Sequence, residues 1–238
     1  MNHVITILRR EMKSYFNTPM AYIFIIVFLG FNAWLFVHFF FLNNIASMRA
    51  FFSLLPWVFL FFMPAITMRM WSEEKRSGTI ETLMTLPIKD AEVVLGKFLA
   101  SFLFVAFSLF LTFPVPVMIG LLGVPDWGII IGGYIGALFL AAVYIAIGLW
   151  VSSFTKNQII SFIIAVLITF ALFIVGEDLV LVTAPSGMVP LFRYISLGSH
   201  FQSIARGVID TRDVVYYLCV VFIFLYLNIK NIESSKWR

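Results

Sequence analysis

Apolar residues in this chain run on, unbroken, for about the width of a lipid bilayer, and they do so repeatedly. Stretches at 20–42, 52–70, 97–122, 129–151, 158–176 and 214–230 each approach the roughly 20 apolar residues that a spanning helix needs. The last is the shortest and the fifth is weak at its end. Pro56, Pro64, Pro114 and Pro116 lie inside these runs, and neighbouring helices in lipid make good such breaks. Six spanning helices are expected. Ahead of the first run the period changes. Val4, Ile5, Leu8, Met12, Tyr15 and Phe16 share one helical face; Thr6, Arg9, Arg10, Lys13 and Asn17 share the other, and Pro19 ends the element. Residues 2–17 therefore read as an amphipathic helix in the membrane interface, its arginines toward acidic lipid. The alternative is a frayed start of the first span.

Composition agrees with the pattern. Of 238 residues, 62% are hydrophobic, 12% are charged and 28 are Phe, so lipid must be the solvent for much of the surface. The expected fold is an all-α polytopic membrane protein, one domain over residues 1–238 with no soluble domain and no internal repeat. The net charge of +4 does not point to nucleic acid, because the cations flank the apolar runs. Six spans put both termini on one side. That side collects Arg9, Arg10, Lys13, Arg69, Lys75, Arg76, Lys89, Lys97, Lys156, Lys230, Lys236 and Arg238, against Arg49, Arg193, Arg206 and Arg212 on the other. Twelve of the sixteen cations on one side marks it as cytoplasmic. The first run lacks a following cleavage site, so no cleaved signal peptide is expected. Cys219, the single cysteine, permits no intramolecular disulfide.

One segment breaks the pattern. Trp71-Ser-Glu-Glu-Lys-Arg-Ser-Gly-Thr-Ile-Glu-Thr-Leu-Met-Thr-Leu-Pro87 is polar and lies between the second and third runs. Gly78 interrupts it; Ser77 or Thr79 is placed to cap a new helix, with Glu81 in its first turn. Ile80, Leu83 and Met84 at i, i+3 and i+4 form a small apolar face. A short helix with such a face suits a groove on a partner; it equally suits packing beneath its own bundle.

The run Glu73-Glu74-Lys-Arg-Ser-Gly78-Thr79-Ile80-Glu81-Thr-Leu83-Met84-Thr-Leu-Pro87 resembles the hallmark of ABC-2 type permeases, the membrane subunits of one class of ATP-binding-cassette exporters. The order of parts is similar too, and the compact form is similar to the gliding-motility-associated permease, the nearer resemblance, and to the permease of nitrous-oxide-reductase maturation. The resemblance implies that residues 71–95 form a coupling segment docking a separate ABC ATPase, with Glu73, Glu74, Gly78, Thr79, Ile80, Glu81, Leu83, Met84 and Pro87 at the contact. It implies no cofactor in this chain, with ATP and Mg in the partner, and a second permease chain, identical or related. It implies a bacterial inner membrane, multi-pass, with both termini cytoplasmic, and leaves room for a periplasmic accessory protein. No G-x-x-x-x-G-K-[ST] occurs, and Gly96-Lys97 lacks the upstream glycine, so the chain is not expected to be the ATPase itself.

Three further features have two readings each. Gly132, Gly133, Gly136, Ala137 and Ala141 make a small-residue stripe, for packing within the bundle or between permeases. The external segment 185–213 places Phe201, Ile204, Ala205, Val208 and Ile209 on one face; by resemblance it seals an outer gate with His200, Phe201, Ile204, Arg206 and Gly207, and otherwise it rests on headgroups. His200, Asp210 and Asp213 fit no metal-ligand spacing. Asn32, Ser101, Ser108, Thr112, Ser161 and Thr169 read as helix–helix hydrogen-bonding groups rather than as a substrate path. Ionisable side chains are nearly missing from the middles of the spans, which argues against an ion-coupled carrier or channel. An ATPase-linked scaffold that moves no solute is the other rival.

Overall fold

The computed structural model describes residues 2–43, 48–81, 87–122 and 126–235, and every regular element among them is an α-helix. In chain order these are α1 (Asn2–Asn17), α2 (Pro19–Asn43), α3 (Arg49–Thr67), α4 (Arg69–Ser77), α5 (Asp90–Phe110), α6 (Pro114–Leu122), α7 (Trp127–Ser152) and α8 (Gln158–Ile174). The short α9 (Asp178–Leu181), α10 (Val189–Ile195) and α11 (Leu197–Ala205) precede α12 (Thr211–Ser235).

Met68 N donates to the Pro64 carbonyl at 2.8 Å, so α3 passes into α4 with one residue between them. Proline sets the next joint. After Phe110 the turn tightens, with Thr112 N to Leu109 O at 2.9 Å and Phe113 N to Phe110 O at 3.0 Å. Pro114 then starts α6, where a missing N–H costs nothing. The 97–122 run is therefore two helices.

Among the described residues five segments are long and apolar enough to cross a membrane, against the six expected: Pro19–His38, Arg49–Ser77, Asp90–Leu121, Trp127–Ser152 and Thr211–Ser234. The expectation of length is reversed at two of them. The last is 24 residues, because polar Thr211–Asp213 and Lys230–Ser234 still wind into helix, whereas α8 is the short one at 17. At ~1.5 Å per residue α8 is about 26 Å long, and it packs beside α3, with the Trp57 ring 5.0 Å from the Phe173 ring.

The hub is α7, which touches α3, α5, α8, α11 and α12. The small-residue stripe explains why. A Cβ on Gly132 would stand 2.5 Å from the Ile204 carbonyl oxygen, and one on Gly133 would stand 2.3 Å from the Phe52 ring. Gly136 faces Ile204 and Phe201, while Ala137 and Ala141 are fully buried. All five serve contacts within the chain, by letting backbones approach.

The helix α1 does form, but it packs along α5. Its buried residues are Ile7 and Tyr15, with Leu8, Met12 and Phe16 half-buried; Ile5, placed on that face by its spacing, is 44% exposed. The face is rotated because α1 meets a bare patch at Gly96, where a Cβ would lie 2.7 Å from Ile7 Cγ2. Thr6, Arg9, Arg10, Lys13 and Asn17 are exposed as expected.

The polar groups in the spans work mostly within their own helices. Asn32, Ser101, Ser108 and Thr169 each donate to the carbonyl four residues back, and Thr112 to Leu109 O. Two reach across: Ser101 shares a hydrogen bond with Tyr15 at 3.2 Å and Thr112 with Tyr134 at 2.8 Å.

Candidate functional site

Charged side chains from three helices meet where α1, α4 and the start of α5 come together. Lys97 is 1% exposed. Its Nζ donates to Glu74 Oε1 at 2.8 Å, to the Met70 carbonyl at 3.0 Å and to Glu11 Oε1 at 3.1 Å, which uses all three protons. The ammonium also lies 5.0 Å from the Trp71 ring, a cation–π distance. Removing such a cation from water costs several kcal/mol, which only near-complete satisfaction offsets. Two carboxylates face one cation, and Glu74 Oε2 is buried with no hydrogen-bond partner.

Beside this cluster Tyr15 stacks on Phe104, with 4.9 Å between centroids. Burial pushes its phenol well above the usual tyrosine range, while the Ser101 hydrogen bond and nearby Arg69 act the other way, so it stays a neutral hydroxyl. Arg69 lies 5.3 Å from the Tyr15 ring centroid. A second tie joins the same end to the rest of the bundle. Lys75 Nζ and Asn231 Nδ2 both donate to the Ser153 carbonyl, and Asn231 also reaches Ser153 Oγ at 2.6 Å. The N-terminal helix, the 69–81 segment, the 153–157 loop and the C-terminal helix thus share one end, as the cation bias required.

The expected coupling residues divide. Gly78, at φ 74°, closes α4 in the left-handed conformation glycine adopts freely. Residues 79–81 are helical again, with Glu81 N bonding Gly78 O at 3.3 Å. Among the described residues Ser77 caps no new helix: its hydroxyl donates back to Glu73 O at 2.9 Å and meets the Thr79 hydroxyl at 2.9 Å. Glu73, Gly78, Thr79, Glu81 and Pro87 are exposed. Glu74 is turned onto Lys97, and Ile80 leans on the chain's own core. Leu83 and Met84 lie outside the described residues.

At the opposite end, α11 is packed against α7 rather than resting on the surface. Ser196 caps it, accepting from Ser199 N at 3.4 Å and donating to Phe173 O at 3.1 Å. Phe201 and Ile204 are buried on the α7 glycines. The helix stops at Ala205, and Gly207 at φ 91° turns the chain, so Val208 and Ile209 are 66% and 48% exposed and do not join the face. Arg206 is exposed. His200 Nδ1 meets Asp213 Oδ1 at 2.6 Å, its Nε2 meets the Tyr194 carbonyl at 3.0 Å, and its ring stacks on Tyr216 at 3.9 Å. Asp210 instead accepts from Arg212 N at 2.9 Å. Among the described residues no three His, Cys, Asp or Glu side chains gather as a metal site.

Glu11 was not singled out by sequence reasoning, and Lys97 was read only as a topology marker. Nothing in their spacing signals the pair, which is 86 positions apart.

These features define a multi-pass, all-α membrane protein with a buried Lys97–Glu11–Glu74 cluster at one end. The family described as ABC-2 family transporter protein matches residues 12–231, and the chain belongs to it. It is a membrane permease subunit of an ABC transporter, and in that family the permease is not the catalytic subunit. No protein of curated function matches the chain.

Proposed function

We propose that this permease is driven by a separate ABC ATPase that docks on the segment from Glu73 to Pro87, and that it exports a solute across a bacterial inner membrane. Both termini are then cytoplasmic, ATP and Mg bind in the partner, and a second permease chain completes the transporter. The reading rests on one observation above all. Exposed Glu73 sits on a helix continuous with the second span, exposed Thr79 and Glu81 follow it past the Gly78 turn, and Lys97 ties that helix to α1 and α5. A push on this surface is delivered to three elements together. Exposure of Glu73 beside inward-turned Glu74 narrows the acidic contact to Glu73 and Glu81.

The test is co-purification. Glu81→Lys combined with Leu83→Asp is expected to abolish capture of the ATPase and its stimulation by the permease, with membrane insertion unchanged. Undiminished capture and stimulation would remove the docking assignment.

A further inference from the structure

Two cavities meet at Arg69 and Tyr15. The first, of about 430 Å³, is an apolar groove between α2 and α3, lined by Met20, Ile23, Val27, Phe61, Phe62 and Ala65. It opens sideways: Met20, Ile23, Val27 and Phe61 are 51–59% exposed. Its volume lies within the roughly 300–1,000 Å³ typical of ligand sites. Arg69 is the one charged residue among its described lining residues. The second cavity, of about 240 Å³, is polar and includes Arg10, Ser14, Thr18 and Glu73 together with the Lys97 cluster.

The cations of this junction are not equally satisfied. Lys97 has spent its three protons on Glu11, Glu74 and Met70 O. Arg69 carries five N–H donors, and its contacts are the Met20 sulfur at 3.0 Å and the Tyr15 ring. A thioether is a weak acceptor. No carboxylate is within ion-pair distance of Arg69 among the described residues; Glu73, one helical turn along α4, is exposed and lines the same polar cavity. A guanidinium at the mouth of an apolar groove calls for an anion attached to hydrocarbon.

We propose that this junction holds an acidic glycerophospholipid, with one acyl chain in the α2–α3 groove, its phosphate on Arg69, and Arg10 on the headgroup rim. An acidic lipid meets both demands of the junction at once, hydrocarbon for the groove and an anion for Arg69. The bound lipid would bridge α1, α2 and α4, next to the Lys97 cluster. This goes beyond the ATPase reading and does not depend on it, since no partner is needed to detect it.

The purified full-length chain, delipidated in detergent and then offered phosphatidylglycerol or phosphatidylcholine vesicles, is weighed by native mass spectrometry. Retention of phosphatidylglycerol is expected to exceed that of phosphatidylcholine by about fivefold, the contribution of one cation facing an anionic headgroup. Arg69→Gln should erase that preference. Ala65→Phe, which fills the groove and keeps the charge, should lower retention of both lipids, and Arg193→Gln should change nothing. Equal retention of the two lipids by the unaltered protein overturns the proposal, as does full retention in Ala65→Phe. So does protection from thermal unfolding by inorganic phosphate alone that matches the lipid. A cross-link between Ile23→Cys copies that persists in excess lipid would give the groove to a second chain and overturn it too.

Discussion

A buried lysine is tolerated only where its surroundings replace water, and Lys97 finds three oxygens and an aromatic face within reach. Lys97→Met leaves Glu11 and Glu74 facing each other with no cation between them. The expected cost is about 3–5 kcal/mol, read as a lowered melting temperature in detergent, with much of it recovered when both carboxylates are also made apolar. An unchanged melting temperature would mean the cluster contributes nothing to stability. In sequence Lys97 is one cation at the head of a greasy run, and such cations normally report topology. Its second role depends on Glu74, 23 positions away, and on Glu11, which only α1 docking brings near. Gly78 was more legible, because a glycine between polar helix formers signals a left-handed stop on its own.

Among elements, α7 shows how small residues place a helix at the centre. The stripe from Gly132 to Ala141 was visible as spacing, but its partner was not, since any close-packed helix or second chain satisfies the same pattern. The structure seats Ile204 on Gly132 and Phe52 on Gly133. Gly132→Ala must therefore part α7 from α11, at an expected cost of about 1–3 kcal/mol in unfolding experiments. Gly30 in α2 has nothing within 4 Å of a new Cβ, so Gly30→Ala should be neutral or gain about 0.5–1 kcal/mol in the same assay. Equal effects from both would refute the packing argument. The amphipathic face of α1 was legible in outline and misplaced in detail. Periodicity finds a stripe, whereas the bare surface at Gly96 decides which edge of it is covered.

At the scale of the molecule the two ends differ. One is joined by side-chain ties between α1, α4, α5, the Ser153 turn and α12. The other is assembled from helices of four, seven and nine residues linked by turns. Among the described residues hydrogen exchange should therefore be fast over residues 183–188, which are mostly exposed and outside helices, and slowest in α5 and α7. Uniform protection would contradict this. Six expected spans became five segments of spanning length among the described residues. The all-α multi-pass class and the common end of the first and last helices were readable from apolar runs and cation placement, which bilayer width and charge bias constrain strongly. The ties were not, because each depends on residues that sequence keeps far apart. The Ser153 carbonyl, taking one donor from Lys75 and another from Asn231, has a mechanical consequence. It makes the second span and the last helix a single handle: displacement applied to either is carried by both, and bending is left to the jointed short helices at the opposite tip.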